Sequence, residues 1–172
     1  ALKPGASASE PLFASVDWSR SRAYALGLNG VFLNLQGREA EGIVAANAGS
    51  ALLDEIAAAM SQWQDPANGE RVILRAGKAT DLYQGAATAD APDLVVGYNS
   101  GYRASWQTSL GGVPGTDIED NRQLWSGDHC VASELVPGLL LTSFPIDQPL
   151  PGIAAVGALV RSEARRDGAG SQ

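Results

Sequence analysis

Asp93-Leu-Val-Val-Gly97 is a short run of bulky apolar residues. A run of this length is typical of a strand that is buried on both faces of a sheet. The residues that follow it, 98–106, are rich in aromatic side chains and glycine, and they predict a long loop. We therefore expect residues 93–97 to be a core strand whose carboxyl end opens into that loop.

A hairpin is predicted upstream of this strand. Two short apolar runs, Ala23-Tyr-Ala-Leu26 and Val31-Phe-Leu-Asn-Leu35, are separated by a segment that contains Asn29-Gly30. An Asn-Gly pair between apolar runs is a hairpin signal, because both residues tolerate the backbone angles of a tight turn.

The clearest helix is predicted over residues 50–63. Apolar side chains recur there at helical spacing, and Ser50 is a suitable cap for the amino terminus. We expect this apolar stripe to be buried: Leu52, Leu53, Ile56, Met60 and Trp63. A truncation of Trp63 to alanine should then cost about 3–5 kcal/mol.

Three further elements complete the predicted order. Arg71-Val-Ile-Leu-Arg75 alternates as a strand does, residues 78–83 form a short helix or turn, and residues 135–142 form another core strand. Hairpin, helix and strands together predict an α/β fold in which core strands stand beside a small α+β subdomain. Because ligands gather at the carboxyl ends of strands in open α/β sheets, we expect a site there.

Composition limits the possible functions. The chain has 172 residues, of which 45% are hydrophobic and 18% charged, and its net charge is −7. This composition is globular, and the negative charge argues against a nucleic-acid-binding surface. A single cysteine forms no internal disulfide, and no apolar run is long enough for a membrane span. We expect a flexible arm over residues 1–11, a disordered tail over residues 161–172, and no linker that divides the chain.

Trp125-Ser-Gly-Asp-His-Cys130 is the stretch with the most chemistry. It holds the only histidine and the only cysteine of the chain. Imidazole and carboxylate are both good zinc ligands, so Asp128 and His129 are candidate metal ligands. The alternative is that His129 is a hydrogen-bonded loop histidine and Asp128 a turn residue. No catalytic residue is assigned, since neighbours in sequence such as Ser126 and His129 rarely face one another as a triad does.

Four blocks of this sequence resemble bacterial type I phosphodiesterase/nucleotide pyrophosphatase proteins of the alkaline phosphatase superfamily, and they occur in the same order. The blocks are VDWSRSRAYALGLNGVFLNLQGRE (16–39), APDLVVGY (91–98), GYRASW (101–106) and WSGDHC (125–130). The resemblance covers roughly residues 12–146. It implies a partial alkaline-phosphatase-like fold, with residues 12–160 as the C-terminal segment.

The resemblance also implies a chemistry. In that superfamily two metal ions, usually zinc, hold a phosphate ester while a Thr or Ser attacks the phosphorus. The last ligand in chain order is a histidine in a Gly-x-His context, which His129 matches. The family's first metal-binding Asp, its nucleophile and its Ser-Asp-His-Gly block have no counterpart in this chain.

Two functional hypotheses follow. In the first, the chain is the C-terminal part of a metal-dependent phosphodiesterase, contributes one ligand and part of the pocket wall, and is inactive without the N-terminal half as its partner. In the second, it is a non-catalytic binding or structural module that keeps the fold.

Overall fold

The computed structural model of the chain describes residues 1–4, 12–109, 112, 115–125, 127, 129–146 and 152–169. These residues form a mixed α/β fold with a four-stranded antiparallel sheet and four α-helices. The chain divides into two compact units, Ala1–Pro137 and Gly138–Gln172. The expectation of an undivided chain is therefore wrong, and the break falls at a Pro-Gly pair that favours neither helix nor strand.

The predicted hairpin is confirmed. Strand β1 (Ala23–Leu26) pairs antiparallel with β2 (Gly30–Leu33). Gly27 begins the connecting turn with a φ of +76°, which glycine adopts without steric cost. Tyr24 stands opposite Phe32, and their rings stack with centroids 5.5 Å apart.

The apolar run at residue 93 forms an inner strand of the sheet, as predicted. Strand β4 (Leu94–Tyr98) lies between β2 and β3 (Ile73–Lys78), so that the strand order is β1-β2-β4-β3. All these pairings are antiparallel. The strand predicted at residues 71–75 begins two residues later, and the short helix predicted after it is α2 (Ala79–Leu82).

One helix covers this sheet. Helix α1 (Gly49–Ser61) packs through Leu53, Ile56 and Met60 against the main core. It ends before Trp63, whose side chain is 36% exposed, so the prediction that Trp63 is buried on the helix stripe is wrong. The backbone of Trp63 has already left the helix and accepts a hydrogen bond from the Val72 amide at 3.0 Å.

The core is shared by the sheet and the helix. Two clusters of buried side chains meet where α1 crosses the strands. The first is Val31, Val72, Ile73, Leu94 and Val96, and the second is Leu33, Val44 and Leu52. Leu94 has no exposed surface at all, which agrees with its place on an inner strand.

The core strand predicted over residues 135–142 is not formed. A 3₁₀ turn (Ser133–Leu135) is followed by residues 136–142, which have no regular secondary structure and pair with no strand in the described part of the chain. Leu139 and Leu141 are more than four-fifths exposed. Apolar character alone predicted this strand, but a strand also needs a neighbour for its backbone hydrogen bonds.

The second unit contains a 3₁₀ turn (Ile153–Ala155) that continues into α4 (Val156–Ala169). This helix includes residues 161–169, for which a disordered tail was predicted. Alanine, arginine and glutamate predominate in this stretch and are good helix formers. Residues 170–172 lie outside the described residues.

At the other terminus, the described part of the predicted flexible arm is attached to the fold. The Lys3 amide donates to the Ser15 carbonyl at 2.9 Å, and Asp17 donates to Ala1 at 3.0 Å. Residues 5–11 of that arm lie outside the described residues. None of the helices in the described ranges combines the length and apolar character that crossing a membrane requires.

Candidate functional site

The loop that carries His129 runs beside the carboxyl end of β4. The Tyr98 amide donates to the Cys130 carbonyl at 3.0 Å, and the Ala132 amide donates to the Tyr98 carbonyl at 2.8 Å. The pairing of β2 with β4 has ended before Tyr98, and at Tyr98 the backbone of this loop pairs with β4 instead. The His129 loop therefore lies at the carboxyl end of an inner strand, where the sequence analysis expected a site.

Close packing fixes this segment against the strand. Ala132 is 1% exposed, and a side chain added at Gly97 would bring its Cβ to 3.0 Å from the Ala132 Cβ. Glycine at position 97 thus permits the close approach of the loop. The Cys130 side chain is also buried, so the residue after His129 is anchored by both its backbone and its side chain.

A second anchor lies on the amino-terminal side of His129. The carbonyl of Gly127 accepts hydrogen bonds from Arg103 Nη1 at 3.1 Å and from Trp125 Nε1 at 3.0 Å. The guanidinium carbon of Arg103 lies 5.0 Å from the centroid of the Trp106 ring, a favourable cation–π distance. Trp106 begins the short helix α3 (Trp106–Ser109).

The segment that carries Arg103 is itself tied to the sheet. The Asn99 amide donates to the Val72 carbonyl at 3.0 Å, and the Tyr102 amide donates to Asn99 at 3.1 Å. The Tyr102 hydroxyl donates to Asp65 Oδ2 at 2.9 Å, and the Asp65 side chain is largely buried. Hydrogen bonds to Val72, just before β3, and to Asp65 therefore hold the backbone that leads to Arg103 in place.

The environment of Tyr102 is polar and negatively charged. A hydrogen bond with Asn68 is the largest influence on its phenol and lowers the pKa, but burial and the Asp65 carboxylate together outweigh it. The net result is a raised pKa, so the hydroxyl remains a hydrogen-bond donor.

His129 is exposed to solvent at this site. Asp128, the second predicted ligand, lies outside the described residues. Within the described residues, no group of three or more His, Cys, Asp or Glu side chains is close enough to hold a metal ion. A protein metal site needs three or four donors, so the described side chains do not by themselves form one.

A second polar cluster lies at the opposite, amino-terminal end of β4. Arg38 binds Asp93 with both prongs of its guanidinium and also contacts Glu39 at 2.8 Å. The hydrogen bonds with Asp93 raise the pKa of Arg38 further above its ordinary value. Burial, and then the Glu39 carboxylate, raise the pKa of Tyr24, whose hydroxyl donates to Glu39 at 3.1 Å. This cluster joins the hairpin to the amino-terminal end of β4, whereas the His129 loop lies at the carboxyl end of the same strand.

Arg103 is the residue of the site that sequence reasoning missed. Its sequence signal is an arginine between two aromatic residues, Tyr102 and Trp106, in a loop that follows a core strand. Arginine stacks on aromatic rings and binds carbonyl oxygens with the same planar group, but the sequence does not show which carbonyl Arg103 binds.

No family model, no curated protein and no solved structure matches this chain. What the protein does has therefore to be inferred from its residues and their geometry.

Proposed function

We propose that this chain is the C-terminal part of a metal-dependent phosphodiesterase or nucleotide pyrophosphatase with an alkaline-phosphatase-like fold. His129 supplies one ligand to a divalent metal ion, with zinc the expected ion, and the loops around it form part of the wall that faces a small phosphate ester. The observation that carries this proposal is that the four sequence blocks that resemble such enzymes are in contact with one another.

The first contact joins residues 16–39 to residues 91–98. Strand β2 pairs with β4, and Asp93 Oδ2 accepts a hydrogen bond from the Leu33 amide at 2.6 Å. The hairpin is therefore fixed to the strand whose carboxyl end reaches the His129 loop.

The other contacts converge on residues 125–130. Tyr98 at the end of one block binds the backbone of Cys130, and Arg103 from the next block binds Gly127. Helix α3, which begins in the third block, lies beside β1 of the first. Four segments spread over more than a hundred residues of sequence are thus joined by direct contacts to the loop of one exposed histidine or to a segment that binds it, and this arrangement supports a common site.

The charge of the chain agrees with a metal-dependent site. A net charge of −7 does not attract a phosphate ester, but a bound divalent cation reverses the local sign and polarises a phosphoryl oxygen. His129 is the one candidate ligand among the described residues. The remaining ligands and the nucleophile would come from the N-terminal half of such an enzyme, and Asp128 stays a candidate that lies outside the described residues.

The deciding experiment compares metal content in a longer protein that joins this segment to its natural upstream sequence. We expect zinc in the purified wild-type protein, and a loss of zinc together with hydrolysis of bis(p-nitrophenyl) phosphate in His129→Ala. Arg122→Gln, a change at an exposed residue upstream of the same loop, should keep both. The segment of 172 residues alone should have negligible activity, because it lacks the nucleophile.

Three results would contradict the proposal. Equal zinc in the wild type and His129→Ala would remove His129 from the metal site. Metal-dependent hydrolysis by the pure segment, abolished by His129→Ala, would show that the chain needs no partner. A longer protein with neither zinc nor activity would favour a non-catalytic binding or structural module.

A further inference from the structure

We propose that Arg103 is a positioning residue for His129: its guanidinium holds the Gly127 carbonyl and thereby fixes the loop that presents the imidazole. This inference rests on the proposed role of His129 as a metal ligand and adds a residue that the sequence resemblance does not assign. It follows from the two anchors on either side of His129 and from the way in which Arg103 itself is held.

The two anchors are unequal. After His129, the backbone of Cys130 is bound to Tyr98, and the neighbouring Ala132 is packed against Gly97. These contacts belong to the sheet and resist local opening. Before His129, the Gly127 carbonyl accepts its hydrogen bonds within the described residues from two side chains, Arg103 and Trp125.

Gly127 needs such an anchor. Glycine has the widest range of backbone angles of any residue, so a loop that contains it loses the most conformational entropy when it is ordered. An unheld Gly127 would let the segment before His129 swing about the fixed point at Cys130. The backbone at His129 would then be less restrained, and metal binding would bear the cost of ordering it.

Arg103 is suited to this task because its own position is restrained at both its side chain and its backbone. Its guanidinium lies over the Trp106 ring, and its backbone continues from Tyr102, which is bound to Asp65. Trp125 offers a weaker anchor: it belongs to the same loop as Gly127, and its indole is 65% exposed. A hydrogen bond within the loop moves with the loop, whereas Arg103 ties the loop to the body of the protein.

The test uses the single histidine of the chain as a reporter. In the full 172-residue chain, ¹⁵N relaxation should give the His129 amide an order parameter of about 0.85, the value of a rigid backbone. In Arg103→Gln we expect it to fall below about 0.6, the range of a flexible loop, while the Cys130 amide stays rigid. The His129 Cε1–H signal should shift toward its position in the unfolded chain.

Two variants separate positioning from a general effect of charge or stability. Arg103→Lys keeps a cation over Trp106 and a donor for the carbonyl, so it should restore the His129 order parameter in part. Arg122→Gln removes the same charge from the exposed segment nearby and should leave His129 as in the wild type. The midpoint of thermal unfolding should fall by less than about 4 °C in all three variants, so that a change at His129 does not reflect loss of the fold.

A rigid His129 amide in Arg103→Gln would overturn the proposal, and so would an equal loss of order in Arg122→Gln. If Arg103→Gln failed to fold, wild-type nuclear Overhauser contacts from Arg103 to the Trp106 ring and to the Gly127 Hα protons would decide instead. The absence of these contacts would also overturn the proposal.

Different measurements test the positioning role of Arg103 and the metal-binding role of His129. If His129 is no ligand, Zn²⁺ leaves its Cε1–H signal unmoved in the longer protein, yet the order parameters above still report whether Arg103 holds the loop. If both proposals hold, the Zn²⁺ concentration that half-saturates the His129 shift should rise several-fold in Arg103→Gln.

Discussion

Arg38 and Asp93 form a two-pronged ion pair, with Nη1–Oδ1 and Nη2–Oδ2 distances of 2.9 and 2.6 Å. The same Asp93 carboxylate accepts a hydrogen bond from the Leu33 amide, and Arg38 Nη2 donates to the Leu33 carbonyl at 2.8 Å. One ion pair thus satisfies both backbone groups of the last residue of β2 and joins the hairpin to the beginning of β4.

Asp93→Asn should destabilise the chain by about 1–2 kcal/mol. The substitution weakens the charge-assisted bonds to Arg38, which is about one-third exposed, so that solvent screens part of the effect. The matched control is Glu55→Gln, which removes the same charge from a well-exposed pair with Arg22 at 3.6 Å and should cost less than about 0.5 kcal/mol. Urea unfolding of the three proteins measures both changes. Equal losses would mean that the two-pronged ion pair of Arg38 and Asp93 adds no more stability than an exposed ion pair does.

Stability should fall at high pH in a manner that depends on Tyr24. Burial and Glu39 raise the pKa of its phenol above the ordinary value of 10.0. A raised pKa in the folded state contributes stability that is fully present below the unfolded pKa and is lost as the pH rises through the folded pKa. The free energy of unfolding should therefore decline above pH 10, and Tyr24→Phe should make that decline shallower. The same slope in both proteins would exclude Tyr24 as its source.

Gly42→Ala should be poorly tolerated. A Cβ at position 42 would overlap the carbonyl group of Leu35, and neither backbone can move without disturbing the hydrogen bond between Gln36 and Val44. We expect a loss of about 1–3 kcal/mol. Gly115→Ala, where no atom lies within 4 Å of the added Cβ, should change stability by less than about 0.5 kcal/mol. Thermal unfolding of the two variants makes the comparison, and a harmless Gly42→Ala would show that the turn can relax.

Leu94→Ala should cost about 2–5 kcal/mol, because Leu94 is completely buried between the hairpin and β3. Leu124→Ala removes the same atoms from a fully exposed side chain and should be nearly neutral. Denaturant midpoints measure the difference. Similar effects at both positions would contradict the placement of β4 inside the sheet.

The elements that could be predicted are those whose signal is local. The turn between Leu26 and Gly30, the apolar stripe of α1 and the run at residue 93 specify a hairpin, a helix and an inner strand respectively, each within a short stretch of sequence. Trp63 continued the helical spacing by chance, since nothing in that spacing shows that the helix ends at Ser61. Residues 135–142 carried a strand composition, but composition does not say whether a partner strand is present.

The contacts of the candidate site were harder to predict from the sequence, because they join segments that are far apart in the chain. His129 was found from its uniqueness and its neighbours, whereas Arg103 is significant only through Gly127, which lies 24 residues away. Hydrogen bonds from a side chain to a distant backbone carbonyl leave no periodic pattern in a sequence. The pairing of Arg38 with Asp93 was missed for the same reason.

The strand order also sets the sequence of folding events. β4 lies between β2 and β3, both of which precede it in the chain, so the sheet remains in two pieces until β4 has joined them. The hairpin closes a short loop and can form within microseconds, but the pairing of Val31 with Leu94 closes a loop of about sixty residues, a little under half of the first compact unit. Non-local pairing of this kind slows folding, because chain entropy is lost before core contacts form. Leu94→Ala should accordingly lower the folding rate more than it raises the unfolding rate in a chevron plot, and the docking of β4 is then the step that limits how fast the protein reaches its native state.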